Sequence, residues 1–247
     1  MNTVRLTLSR TIGRTHSLFS TALAVGGFLA AAGALFAFAL EGAEGGSLAL
    51  PAVWALSVAP FAPVLAALLA MDVWSDEIRS GRIDVLLSTS VTERDLVLGK
   101  FFGVYAMTFG ALVLSLAATL AALALLAPSA LASVGALDVG PALVALAIQT
   151  ALWSAVSVAT SAAFGHAAVA AVASVALTVA LPRGIWLGLA AWSRAGRTAF
   201  GEMPFDAHVL DIASGTLPLD VAACYLAGTL AFLFAASKLV EIGRAHV

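Results

Sequence analysis

The 247-residue chain is 62% hydrophobic and only 11% charged, with a mean hydropathy of +1.04, where a soluble domain carries about 25% charged residues. Its 12 Lys+Arg and 14 Asp+Glu cannot clothe a soluble globule, the more so because ten of them fall in one loop, so the chain must be solvated by lipid. A net charge of -2 excludes the basic field of a nucleic-acid binder, and a single cysteine, Cys224, excludes an internal disulfide and any cysteine-cluster metal site.

In chain order, Val4, Leu8 and Ile12 recur at helical spacing with Arg10 and Arg14 opposite. That pattern suits either a short helix in the membrane interface or a frayed N-terminal arm. Six stretches then approach the roughly 20 apolar residues that a spanning helix needs: Leu18 to Leu40, Leu48 to Met71, Phe101 to Ala127, Pro141 to Ala163, Ala167 to Leu181 and Val221 to Ala236. The first is longer than a secretory h-region and reads as an uncleaved anchor. The fourth and fifth are separated only by Phe164-Gly-His166 and form a tight helical hairpin. Their Ala, Gly and Ser content permits close helix packing in lipid. The expected fold is an all-α polytopic membrane protein with six transmembrane helices, spanning residues 1–240 as one domain.

Lys and Arg set the orientation. With the N-terminus inside, cytoplasmic segments hold Arg5, Arg10, Arg14, Arg79, Arg82, Arg94, Lys100 and Lys238, and outer segments only Arg183, Arg194 and Arg197. Both termini are expected in the cytoplasm. The outer segment 182–220 is the least regular. Pro182 should end or kink the fifth helix, and Ile185 to Trp192 is either a re-entrant or interfacial helix or the kinked helix continued. The last seven residues, 241–247, back-translate into a run resembling a common sequencing adapter read in frame, so this tail is treated as non-native and the true C-terminus is expected to be missing.

The information is concentrated in the cytoplasmic loop of residues 72–100, with Asp72, Asp76, Glu77, Arg79, Arg82, Asp84, Glu93, Arg94, Asp95 and Lys100. The second spanning helix is expected to run on and stop near Ser80-Gly81, where glycine can take the left-handed conformation. A short helix follows, with Ile83, Leu86 and Leu87 in one apolar stripe. Thr92-Glu-Arg-Asp95 resembles a capping box with Asp in place of the usual Glu or Gln. From periodicity, the stripe either packs on the protein's own helix ends or docks a cytosolic partner, and the former is the simpler account.

Catalytic constellations are missing from the sequence: it has no metalloprotease, dinucleotide, P-loop or nucleophile-elbow motif, so ATP cannot be bound here by a P-loop. No Asp, Glu, Lys or Arg lies inside a span away from its ends. Ion-coupled carriers usually place ionisable groups there, so any transport is powered from outside the chain. His166 reads as a solvated turn residue, Cys224 as a small packing residue, and Asp72 and Asp76 as partners for Arg79 or Arg82.

The run Glu77-Ile-Arg-Ser-Gly-Arg-Ile-Asp-Val-Leu-Leu-Ser-Thr-Ser-Val-Thr-Glu-Arg-Asp-Leu-Val-Leu-Gly-Lys100 resembles the signature loop of ABC-2 type permeases. Arg82 stands where a small Thr or Ser is usual, and Ser90 where Pro is usual. Leu137-Asp-Val-Gly-Pro141 and Phe205 to Asp220 are similar to the gliding-motility-associated branch, although His166 falls where that branch often has a polar Glu-Asn-Gln turn. The resemblance covers about 220 residues. It implies a permease subunit of an exporter in the bacterial inner membrane, dimerising with itself or with a homologous permease. ATP and Mg would be bound by a separate cytosolic ABC ATPase, with no cofactor on this chain. It also implies that the loop carries the coupling helix, so that Glu77, Gly81, Arg82, Ile83, Leu86 and Leu87 contact the ATPase and the stripe becomes a docking surface. The alternatives are a non-transporting scaffold anchoring an envelope or gliding-type complex, and an intramembrane enzyme, which is disfavoured because no polar residues converge at one membrane depth. The apolar lining says nothing about the substrate.

Overall fold

The computed structural model describes residues 18–42, 49–79, 92–132, 134–192, 205–216 and 219–245. Among these residues the chain is entirely helical: α1 (Leu18–Gly42), α2 (Leu50–Val58), α3 (Ala62–Ala70), α4 (Asp72–Arg79), α5 (Glu93–Leu126), α6 (Pro128–Ala132), α7 (Ala136–Ala163), α8 (Ala167–Trp192), α9 (Phe205–Ala213) and α10 (Leu219–Ala245). Four helices are long and apolar enough to cross a membrane, at Thr21–Leu40, Glu93–Leu126, Val139–Ala163 and Leu219–Ile242, and α2 with α3 makes a fifth if the bent pair counts as one span. The fifth expected stretch contributes only the shorter apolar segment Ala167–Thr178 among the described residues. The N-terminal arm and the tail beyond Ala245 lie outside those residues.

Helix α7 is the hub, since it packs against α10, α3, α9, α5, α8, α2 and α4. Within its most apolar window 72% of residues are buried, against 17% in α1 and 17% in α10, so α7 lies inside the bundle, together with α2 and α3, most of whose residues are also buried, and the other long helices form a shell. The shell turns large apolar side chains outward, among them Leu23 and Phe38 on α1, Leu125 and Leu126 on α5, Val172 on α8, and Leu226, Leu230 and Phe234 on α10. Water would penalise that surface and hydrocarbon tails accept it. The protein is therefore a multi-pass membrane protein. Close approach is achieved with small residues: an added Cβ on Gly228 of α10 would stand 3.0 Å from Leu152 Cδ1 of α7.

The second expected stretch is broken. Pro60 and Pro63 flank Phe61, and α2 and α3 meet there at 44°. Proline removes a backbone donor and clashes with the preceding turn, which divides the helix. A second break at Met71 separates α3 from α4 and is closed by a side chain from the hub: Ser161 Oγ donates to Met71 O at 3.2 Å and accepts from Trp74 N at 3.3 Å. Pro182, in contrast, does not end its helix, because α8 runs on to Trp192. The segment Ile185 to Trp192 thus continues the fifth helix. Cys224 is exposed on α10, contrary to the packing role expected for it. The buried stripe of α10 runs through Tyr225, Thr229, Ala236 and Val240, and Cys224 stands off that stripe.

Between α9 and α10 the chain turns at Gly215, with φ +92. Gly215 N donates to Ile212 O at 3.0 Å and Thr216 N to Asp211 O at 3.1 Å, the two bonds of a Schellman ending. A side chain at Gly215 would be strained by that φ, which explains the glycine.

Candidate functional site

One end of the bundle gathers five helix ends. Ala70 of α3, Trp74 of α4, Leu96, Val97 and Val104 of α5, Val158 and Ala159 of α7, and Ala236 and Val240 of α10 form one buried cluster. From this end the chain leaves at Arg79 and returns at Thr92. The loop of residues 80–91, including Gly81, Arg82, Ile83, Leu86 and Leu87, lies outside the described residues, as do the side chains of Asp76 and Arg79. The structure describes its two anchors.

The returning anchor is a capped helix start. Thr92 has extended backbone, with φ -82 and ψ 153, and its Oγ1 accepts from Asp95 N at 3.2 Å. The same hydroxyl donates to Asp95 Oδ2 at 2.8 Å. In a full capping box a Glu reaches back to the N-cap backbone N–H. Here the shorter Asp grips the Thr92 hydroxyl instead, and its charge also favours the positive end of α5.

The outgoing and returning anchors are joined by Lys100, which sequence reasoning counted only as a loop charge. Its residue is 2% exposed. The Lys100 ammonium donates to Val73 O and to Glu77 Oε2, and sits 3.8 Å from the centroid of the Trp74 ring. An ammonium has three donors and no acceptor. A carbonyl, a carboxylate and an aromatic face from one turn of α4 therefore meet a charge delivered by α5. Glu77, first of the signature residues, is thus brought against Lys100, the last. Trp74 is fully buried beneath them. The signal available in the sequence was the spacing of the motif, which begins on the acid and ends on the base.

His166, in the turn between α7 and α8, is exposed, in keeping with a solvated turn residue. Towards the other end of the bundle α9 buries Val209, Ile212 and Ala213 in the main core with Trp54, Ala142 and Leu146. His208 of α9 meets the edge of Tyr225 at 6.1 Å between ring centroids. Burial holds the His208 pKa below its ordinary 6.5, against an upward pull from Asp211 and Asp220. Among the described residues no group of three or more His, Cys, Asp or Glu could hold a metal ion.

The family model described as ABC-2 family transporter protein matches residues 7–194, three quarters of the chain and all of the signature loop. The chain belongs to the ABC-2 transporter family. It is accordingly a membrane permease component of an ABC transporter, a family role that implies association with an ATPase subunit. No curated protein matches it.

Proposed function

We propose that this chain is the permease subunit of an ATP-driven exporter in the bacterial inner membrane. A separate cytosolic ATPase binds ATP and Mg and docks on the loop between α4 and α5. The observation that carries this reading is the family match across that loop together with the clamp beneath it: Lys100 ties the helix that leads out to the helix that leads back, so force applied to the loop is delivered to α4 and α5 together. Such a subunit works as a dimer, with itself or with a homologous permease. Its two bundles exchange arrangements as the ATPases close. In this reading six spans cross the membrane, with the α8 stretch as the fifth, and both termini are cytoplasmic. Of the proposed contacts, Ile83, Leu86 and Leu87 supply the docking face and Arg82 its rim. Gly81 frees the turn, while Glu77 positions the loop from within the clamp.

The test is Leu86→Asp and Leu87→Asp. Each would bury an unpaired carboxylate at the docking face, a cost of several kcal/mol that releases the ATPase. The variants should still insert and extract like the wild type, yet lose the co-purifying ATPase and transport-linked hydrolysis, whereas Asp84→Asn should do much less. If both variants retain the ATPase and its stimulation, the stripe is internal packing and the coupling role falls.

A further inference from the structure

The middle of the hub helix carries polar groups that the fold itself does not use. Gln149, Thr150 and Ser154 of α7 are 3%, 0% and 0% exposed, and lie near the centre of the apolar stretch Val139–Ala163. Among the described residues Gln149 Oε1, Thr150 Oγ1 and Ser154 Oγ have no hydrogen-bond partner. Other buried hydroxyls behave differently. Ser57, Thr108, Thr160 and Thr229 each donate to the carbonyl four residues earlier on their own helix. That is the usual way a hydroxyl is accommodated in an apolar bundle. Thr150 and Ser154 make no such bond.

At about 100° per residue, Thr150, Ser154, Ser157 and Ser161 fall on one arc of α7. The lower half of this arc is satisfied. Ser157 Oγ meets Ser174 Oγ of α8 at 2.8 Å, and Ser161 closes the break at Met71. The upper half ends in two hydroxyls without a partner among the described residues, Thr150 Oγ1 and Ser154 Oγ, one turn apart, whereas Gln149 stands about 100° round the helix from Thr150 and lies on another face. A buried polar group is costly unless something pairs with it. Left dry, each hydroxyl would keep that cost, which a ligand that both donates and accepts would offset.

The charge of that ligand follows from the surroundings. No Asp, Glu, Lys or Arg occurs within Ala62–Ala70, Val139–Ala163, Ala167–Leu181 or Val221–Ser237. An ion would find no countercharge at this depth. We propose that Thr150 and Ser154, one turn apart on one arc of α7, form a binding site inside the bundle for a neutral hydrogen-bonding group, either water or a hydroxyl or amide of a transported solute. The solute source rests on the permease reading, and the water source does not.

The test uses the full chain in detergent micelles and in native membranes. Thr150→Val keeps the shape and removes the hydroxyl, and Ser154→Ala removes the second one. If the site is occupied, each lowers the midpoint of thermal unfolding, and Thr150→Ser restores it. A dry site predicts the opposite, because deleting an unpaired polar atom relieves its cost, so a raised or unchanged midpoint for both variants would overturn the proposal. The source is separated by Thr150→Cys and Ser154→Cys in a Cys224→Ser background, treated with a small hydrophilic methanethiosulfonate reagent. Only a hydrated thiolate reacts. Modification at least about ten-fold faster than at Ala155→Cys and Val158→Cys, buried on the rest of α7, assigns a path open to solutes. Slow modification with the lowered midpoint assigns a resident water. Neither readout requires the ATPase, so failure of the permease reading would leave this result standing.

Discussion

A lysine ammonium taken out of water loses several kcal/mol of hydration, and Lys100 recovers it only because α4 presents a carbonyl, a carboxylate and a ring at the same point. Lys100→Met removes the cation and strands Glu77, whose side chain is 17% exposed and can still reach some water. A loss of up to about 3 kcal/mol is expected, the low end for breaking a buried pair. Glu77→Gln should cost less, because the amide oxygen still accepts from Lys100. Thermal or denaturant unfolding of the purified protein checks this order, and a Lys100→Met protein as stable as the wild type would refute the clamp. His208 supplies a pH prediction. Its folded pKa is lowered by burial, so the folded state holds it neutral while the unfolded state protonates near 6.5. Its contribution is therefore fully present above that pH and is lost as the pH falls through the lowered folded value. The unfolding midpoint should drop on going from about pH 8 to about pH 5, by less in His208→Gln, since an amide does not titrate there. The same drop in both proteins would assign the effect to other groups.

At the scale of helices, α10 comes close to α7 at Gly228, where an added Cβ would stand 3.0 Å from Leu152 Cδ1. Gly228→Val should force α10 outward and destabilise the bundle by about 1–3 kcal/mol, the usual effect of overpacking. Gly26→Val, on the face of α1 where an added Cβ meets nothing within 4 Å, should change little. Unequal unfolding midpoints for the pair would bear this out, and equal ones would show that α10 yields. What the sequence revealed of these elements follows from which signals are local. Apolar stretches near spanning length announce themselves by composition, so each expected stretch coincides with helix. The Thr92 cap was legible because its partner Asp95 is three residues away. The fracture between α2 and α3 was written in Pro60 and Pro63, but hydropathy averaged over a span does not register it. Lys100 and Cys224 were misjudged for a different reason: whether a side chain faces a neighbour or lipid is decided by helices distant in sequence. The unpaired hydroxyls of α7 were hidden likewise, since Ser and Thr in an apolar run look the same whether or not a carbonyl receives them.

Across the whole molecule, the two ends of the bundle differ in kind. One end holds the anchors of the charged loop, the turn at His166 and the last turns of α10, where Lys238 Nζ pairs with Glu241 Oε2 at 2.6 Å. The other holds α9 and the turn at Gly215. Nine Lys and Arg, counting Arg244, fall in segments belonging to the first end or leading to α1, against three in residues 183–197. Basic residues are retained on the cytoplasmic side during insertion, so the loop end should face the cytoplasm, which is also where the proposed ATPase would dock. Single cysteines in a Cys224→Ser background test this directly. Gly45→Cys, Ser133→Cys and Ala207→Cys should react with an impermeant maleimide in cells whose inner membrane is sealed, whereas Ser80→Cys and Lys238→Cys should react only after that membrane is opened. The pattern depends on every crossing in between. Labelling of Ser80→Cys in sealed cells would invert the bundle, whereas protection of Ala207→Cys together with labelling of Lys238→Cys would mean that α8 turns back without crossing, leaving five spans in place of six.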